Sequence, residues 1–420
     1  MSDCRNFFTD DIAHGMRIIY TKRGYIYRYI GKEVLTMLKK FTVKGYRNFI
    51  EEVTLDFGCV GGYQFNQECI YNGIISKMIV YGKSAVGKTN FGRAISDITT
   101  NFDMIRYGNI LDRTYVNADS KEKYASFSYT FQFESDELIY EYTKYSANKI
   151  RDEKLYLNGE KVFWCDFELD EYDFENLHLV GAETAIVEQY IASQKLEEAD
   201  DEIEHSLTFM RWVINNVALT QDNVLLKLND YVKRMSFIST GKNAYILGVK
   251  AIYERFCEYL DNERKLDDFE EFLNVMGIKC ELTMKKLPDG QRELYFQYSK
   301  TLVPFFENAS SGTLSLVSLY RRIVNAKTSS LLFMDEFDAF YHYEMSDKVV
   351  RFMKKKYPQC QIIMTSHNTN LISNRLMRPD CLFILSEYGL TPLNKATERE
   401  LREGHNLEKM YISGEFEKYE

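Results

Sequence analysis

The stretch Gly82-Lys83-Ser84-Ala85-Val86-Gly87-Lys88-Thr89 constrains this chain more than any other. Its spacing, G-x-x-x-x-G-K-[S/T], is that of a loop that wraps phosphate. Ile75 to Tyr81 before it reads as a short apolar strand, and Asn90 to Thr99 after it as an amphipathic helix. That order is what the chemistry needs. Glycines let backbone N–H groups turn inward around phosphate oxygens. The helix start adds unpaired N–H groups and a partial positive charge. In this pattern Lys88 reaches the β- and γ-phosphates, and the Thr89 hydroxyl ligates Mg²⁺. The expected ligands are therefore nucleotide phosphates and Mg²⁺.

The chain has 420 residues, too many for one core, and fits two or three domains. Hydrophobic content of 45% and charged content of 27% are those of an ordinary globular protein. A net charge of −9 argues against a dedicated nucleic-acid binder, although a local basic patch remains open. The eight cysteines have no C-x-x-C spacing, so no zinc or redox motif is indicated. With no signal peptide or membrane-length apolar run, the expectation is a cytoplasmic protein with reduced thiols and no membrane partner.

Four segments are expected. Residues 1–36 form an N-terminal extension of weak pattern. Residues 37–182 form a first lobe carrying the phosphate loop. Alternation marks paired strands there, at Phe41-Thr-Val-Lys, Val53 to Phe57, and 124–133 with Leu138 to Tyr145. Asn158-Gly159 signals a hairpin turn. Residues 183–278 read as a helical insertion, with Leu207, Met210, Val213 and Ile214 at helical spacing and an acidic run from Glu197 to Glu202. Residues 279–420 form a second lobe, opening on a hairpin that turns at Leu287-Pro-Asp-Gly290.

The second lobe supplies the other half of a site. Leu331-Leu-Phe-Met-Asp335-Glu336 is an apolar run ending in two acids, as expected of a buried parallel strand whose carboxyl end faces ligand. There Asp335 would hold Mg²⁺ and Glu336 would orient or deprotonate the attacking water. Gln361-Ile-Ile-Met-Thr-Ser-His367-Asn368 is a second such strand, placing His367 to sense the γ-phosphate. Ser310-Ser311-Gly312-Thr313 opens a helix running from Leu314 to Val324, an anion-binding arrangement. Lys88 and Asp335 lie 247 residues apart, and no N-K-x-D motif is present, which argues against compact GTPases and small kinases.

With these motifs in this order, the chain resembles the ABC/SMC-like ATPases, and most closely the OLD and AbiLi-type ATPases of bacterial phage defence. Gly45-Tyr-Arg47-Asn48-Phe49 resembles the turn that opens such heads, which assigns Arg47 to the nucleotide. Gly82 to Phe91, including Lys88-Thr89-Asn90-Phe91, resembles their P-loop, and Ser310-Ser311-Gly312-Thr313 their signature. Asp335-Glu336-Phe-Asp338 with His342 resembles their Walker B and the helix that follows. Thr365 to Leu371 resembles their His switch, and Arg378-Pro379-Asp380 their C-terminal strand. The family departs here in three places. Its P-loop core is replaced by Ser84-Ala85-Val86, the full Leu-Ser-Gly-Gly-Gln is missing, and no Toprim nuclease segment is recognisable. Gln132 is the candidate Q-loop residue.

The resemblance implies an α/β ABC-ATPase-like head, with a mixed sheet carrying the P-loop, an antiparallel β lobe and the helical insertion. It implies an ATPase with Glu336, His367 and Lys88 as catalytic groups. ATP would be sandwiched between two heads of a homodimer or higher homo-oligomer, with Ser310, Ser311 and Gly312 acting in trans. The implied role is a switch controlling a separate effector, a nuclease or toxin, in anti-phage defence. Two rival readings stand beside it. One is a DNA repair or recombination ATPase, with Arg321-Arg322 and Lys354-Lys355-Lys356 as DNA contacts. The other is a low-turnover nucleotide-bound scaffold, against which the Asp335-Glu336 pair argues.

Overall fold

The computed structural model describes residues 16–21, 24–29, 36–102, 114–198, 207–239, 246–248, 256–261, 264–288, 290–339 and 342–419. Two seven-stranded sheets dominate. One is antiparallel throughout. In spatial order its strands are Glu171–Asp173, Glu160–Asp166, Ile150–Leu157, Asp136–Lys144, Ala125–Phe133, Thr36–Lys44 and Val53–Asp56. The alternation read from the sequence sets this sheet: Ala125–Phe133 buries every second residue. Asn158 and Gly159, both at positive φ, make the tight turn between two of its strands.

The other sheet runs Ile246–Gly248, Ser236–Ser239, Leu331–Asp335, Gln361–Thr365, Lys77–Tyr81, Leu382–Ser386, Gly389–Pro392. Its five central strands are parallel and its two edges antiparallel. The fold is thus the mixed α/β head expected. The P-loop strand Lys77–Tyr81 sits between the His strand Gln361–Thr365 and the strand Leu382–Ser386. The acid strand Leu331–Asp335 lies one place further over. Parallel pairing puts all these carboxyl ends on one edge, where ligands collect.

The P-loop helix Lys88–Ser96 lies between the two sheets. Phe91 meets Phe41 and Phe49 of the antiparallel lobe, with ring centroids 5.9 and 6.2 Å apart. On the other side Gly92 packs against the parallel sheet; a Cβ there would lie 2.4 Å from Phe333 and 2.6 Å from Phe237. Only glycine permits this approach. At the helix end, buried Asp97 accepts from Tyr115 Oη (2.9 Å), Tyr142 Oη (3.0 Å) and Lys144 Nζ (2.8 Å). An acid at a helix C-terminus opposes the helix dipole, and the Lys144 ammonium offsets it. The Gln361 amide stitches the sheets together by a pair of 2.8 Å bonds with the backbone of Leu38.

The interval 183–278 is not purely helical. It holds helices Val187–Glu198, Phe209–Asn216, Val224–Lys233, Phe256–Leu260 and Lys265–Met276. It also holds Ser236–Ser239, which pairs in parallel with the acid strand and so belongs to the central sheet. Four residues, three of them buried, carry too short a pattern to announce themselves as a strand. Most of the acidic run Glu197–Glu202, and the side chains of 1–36 apart from Thr36, lie outside the described residues. Among the described residues no helix is long and apolar enough to cross a membrane.

Candidate functional site

The phosphate loop leaves the buried strand Lys77–Tyr81 and enters the helix at Lys88. Lys83, Ser84 and Ala85 at its tip are exposed, and Ala85 takes φ 66°. Gly87 caps the helix at φ 108°, and a Cβ there would lie 2.1 Å from Asn48 Nδ2. Asn48 is a site residue that the motifs did not single out. Its amide donates to Val86 O (2.9 Å) and its carbonyl accepts from Asn90 Nδ2 (2.8 Å), tying the end of the loop to the first turn of the helix. A lone Asn in a turn carries no signal until the fold places it against the loop.

Arg47 precedes it on the same turn, at φ 51°. Its N–H donates to Tyr115 O (3.0 Å), its carbonyl accepts from Asn117 Nδ2 (2.6 Å) and its Nε donates to Tyr46 Oη (2.9 Å). The turn therefore brings the assigned arginine to the loop's flank and the asparagine into the loop itself.

The predicted catalytic groups converge. Lys88 is buried, and its ammonium donates to Gly82 O (2.8 Å) and Lys83 O (3.1 Å). It lies 3.5 Å from His367 Nδ1. Burial pushes its pKa down, and the charges of Glu336 and Asp335 pull it back up. Thr89 Oγ1 donates to Asp335 Oδ2 (2.8 Å), joining residues from opposite lobes. Glu336 stands at φ 48°, a left-handed conformation that costs a non-glycine residue roughly 1–3 kcal/mol and is commonest at functional sites. Its Oε1 is 3.7 Å from His367 Nε2, and both side chains are nearly half exposed to the cleft. Just behind, Asp338 Oδ2 accepts from Ser366 Oγ (2.7 Å). Burial raises the Asp338 pKa, and that hydrogen bond opposes the rise.

Thr89 and Asp335 offer hard oxygen donors. Among the described residues no group of three His, Cys, Asp or Glu side chains forms a metal cage. That donor set fits Mg²⁺, which keeps waters and phosphate oxygens around it rather than an all-protein shell.

Ser310, Ser311 and Gly312 are exposed at the start of the helix Ser311–Ile323. Ser310 caps that helix through Thr313 N (3.1 Å). Among the described residues none of the three hydrogen-bonds the P-loop of its own chain. Gln132 spends its amide on Glu134 O and Asp136 O at a hairpin turn. His342 occupies the N-cap position of the helix Tyr343–Lys356 that follows the acid strand, without a capping bond from its side chain. The lysine run is largely engaged: Lys354 is buried against Glu68 (2.8 Å), and Lys356 pairs with Glu271 (2.6 Å).

A phosphate loop whose threonine reaches an acid at the end of a neighbouring parallel strand has the layout of a P-loop nucleotide-binding site. The family described as "AAA domain, putative AbiEii toxin, Type IV TA system" matches residues 243–373, a stretch that holds Ser310 to Gly312, Asp335, Glu336 and His367. No curated protein matches the sequence. Among solved structures, the chain is similar to the SMC head domain from Thermotoga maritima at 14% identity and TM-score 0.43, covering 85% of this chain and 98% of that one. It is also similar to an Smc head with an extended coiled coil bound to the C-terminal domain of ScpA, derived from Pyrococcus furiosus. There the identity is 13% and the TM-score 0.40, over 85% and 96% of the two chains.

Proposed function

We propose that this chain is a switch ATPase that binds ATP with Mg²⁺ at the carboxyl ends of its parallel sheet and hydrolyses it to ADP and phosphate. The observation carrying this reading is the meeting of Lys88, Thr89, Asp335, Glu336 and His367 at one edge. Lys88 exchanges its loop carbonyls for the β- and γ-phosphate oxygens, gaining charge-assisted hydrogen bonds. Loop N–H groups and the helix start complete the cradle. Thr89 and Asp335 would hold Mg²⁺, which would supply charge neutralisation on the phosphates. Glu336 takes a proton from the attacking water. The water oxygen bonds to the γ-phosphorus as its bond to the bridging oxygen breaks, and the proton passes on to the phosphate. His367, held through Nδ1 by the Lys88 ammonium, presents Nε2 towards Glu336 and the γ-phosphate.

The exposed Ser310-Ser311-Gly312 helix start completes the site of a second copy, so the active species is a homodimer or higher homo-oligomer closed by ATP. Closing and reopening control a separate effector, a nuclease or toxin, in cytoplasmic anti-phage defence. The family match to a putative AbiEii toxin domain supports the defence context. The engagement of Lys354 and Lys356 in ion pairs weakens the rival reading of a DNA-repair head. Purifying tagged Glu336→Gln with ATP and Mg²⁺ from its native host tests the role. A closed assembly with a stoichiometric nuclease or toxin is expected. Recovery of nuclease-sensitive DNA with recombination proteins would replace this reading with the repair one.

A further inference from the structure

We propose that Thr365 is a positioning residue that sets the geometry of both acids, an inference that rests on the ATPase reading above. Thr365 ends the His strand and is fully buried. The parallel register pairs Met334 with Met364, so Thr365 stands beside Asp335. One hydroxyl serves both acids. It donates to Asp335 Oδ1 (2.9 Å) and accepts from the backbone N–H of Glu336 (2.7 Å). The Thr365 carbonyl accepts from Phe337 N (3.2 Å). A hydroxyl can donate and accept at once; a methyl can do neither. The β-branch stiffens χ1, so the oxygen is held in place.

The Glu336 backbone explains why this matters. At φ 48° it lies where non-glycine residues are uncommon, and such a conformation persists only when neighbours over-determine it. The bond from Glu336 N to Thr365 Oγ1 is one such determinant, beside those from Phe337 N to Thr365 O and from Ala339 N to Glu336 O. Thr89 holds the opposite oxygen of Asp335, so the nucleotide-facing side of the acid has its own support. Loss of the Thr365 hydroxyl therefore releases Glu336 while leaving the phosphate cradle standing. Turnover and binding separate. Ser366 and His367 follow on the same strand end and address Asp338 and Glu336 in turn. This strip of three residues aligns the whole acid cluster.

The test compares Thr365→Val with Thr365→Ser in the full chain. Steady-state phosphate release gives kcat and KM, and a fluorescent ATP analogue with Mg²⁺ gives Kd. Thr365→Val should lose about 100-fold in kcat, the scale of a misplacement of about an ångström, with Kd within about threefold of wild type. Thr365→Ser should recover most of the rate. If Thr365→Val does not fold, Thr365→Ala is read on the same measurements. Unchanged kcat in the hydroxyl-free variant, or equal loss in Thr365→Ser, overturns the role. Wild-type turnover beside an unimpaired Thr365→Val sinks this inference alone. Absence of both ATP binding and turnover in wild type overturns it together with the ATPase reading.

Discussion

In the antiparallel sheet the strands Ala125–Phe133 and Asp136–Lys144 bury alternate residues, whereas the parallel strands Lys77–Tyr81, Leu331–Asp335 and Gln361–Thr365 bury all of theirs. A sheet covered on both faces has no side left for chemistry, so its reactive groups stand at the strand ends. The antiparallel sheet works differently. Its inner face of Phe41, Phe127, Tyr129 and Tyr142 stacks around the far end of the P-loop helix, and its polar centre, Asp97 with Lys144, is internal and saturated. One region places exposed polar groups on a buried frame; the other buries polar groups to hold that frame. Substitutions in the first should cost activity, and those in the second should cost stability.

Glu336→Gln gives the largest expected contrast. Removing a general base lowers kcat by about 10²–10⁴-fold, while the melting temperature should hardly move because the side chain is half exposed. A parallel loss of folding would break the contrast. Asp97→Ala should do the reverse. Breaking a buried ion pair costs about 3–5 kcal/mol in denaturant unfolding, with ATP turnover per folded molecule preserved.

Lys77 sharpens the picture with pH. It is fully buried in the P-loop strand, donating to Cys360 O (2.8 Å) and Pro358 O (3.1 Å), and burial pushes its pKa down to about 8. Between that value and the unfolded one near ~10.4, the unfolded chain binds more protons. The stability contributed by Lys77 is therefore present above the unfolded pKa and lost as pH falls through about 8. Relative to Lys77→Met, wild type should gain about 2 kcal/mol between about pH 7 and about pH 10. A flat difference would show that the strand tolerates the charge. The smallest effect is expected at the surface. Lys39 and Glu137 are 2.6 Å apart but each more than a third exposed, so Lys39→Ala should shift stability by about 0.2–1 kcal/mol at most.

The same contrast explains what could be read from the sequence. Alternation from 124 to 145 gave the antiparallel hairpin, and Asn158-Gly159 its next turn, because period two and positive φ leave marks on residue choice. Lys88, Thr89, Asp335, Glu336 and His367 could be put forward as candidates because phosphate chemistry demands those residue types after apolar runs, and the fold brings them to one edge. Ser236–Ser239 was not legible, since a four-residue strand is too short to show a period. Asn48 and Thr365 stood inside quoted motifs but with no role of their own, for another reason. Each acts through a contact made only in the folded chain, Asn48 on a loop 38 residues away and Thr365 on acids 30 and 29 residues away. The short helices around 209–233 matched the expected periodicity at Met210 and Val213, both buried.

The most direct test of the central claim is phosphate release from ATP with Mg²⁺ by the wild-type chain, set beside Lys88→Ala, across a range of protein concentrations. The account predicts turnover by the wild type that rises more steeply than protein concentration, because the site is completed by a second copy, and none above background for the variant. Equal rates for the two proteins, or no hydrolysis by the wild type at any concentration, would contradict it.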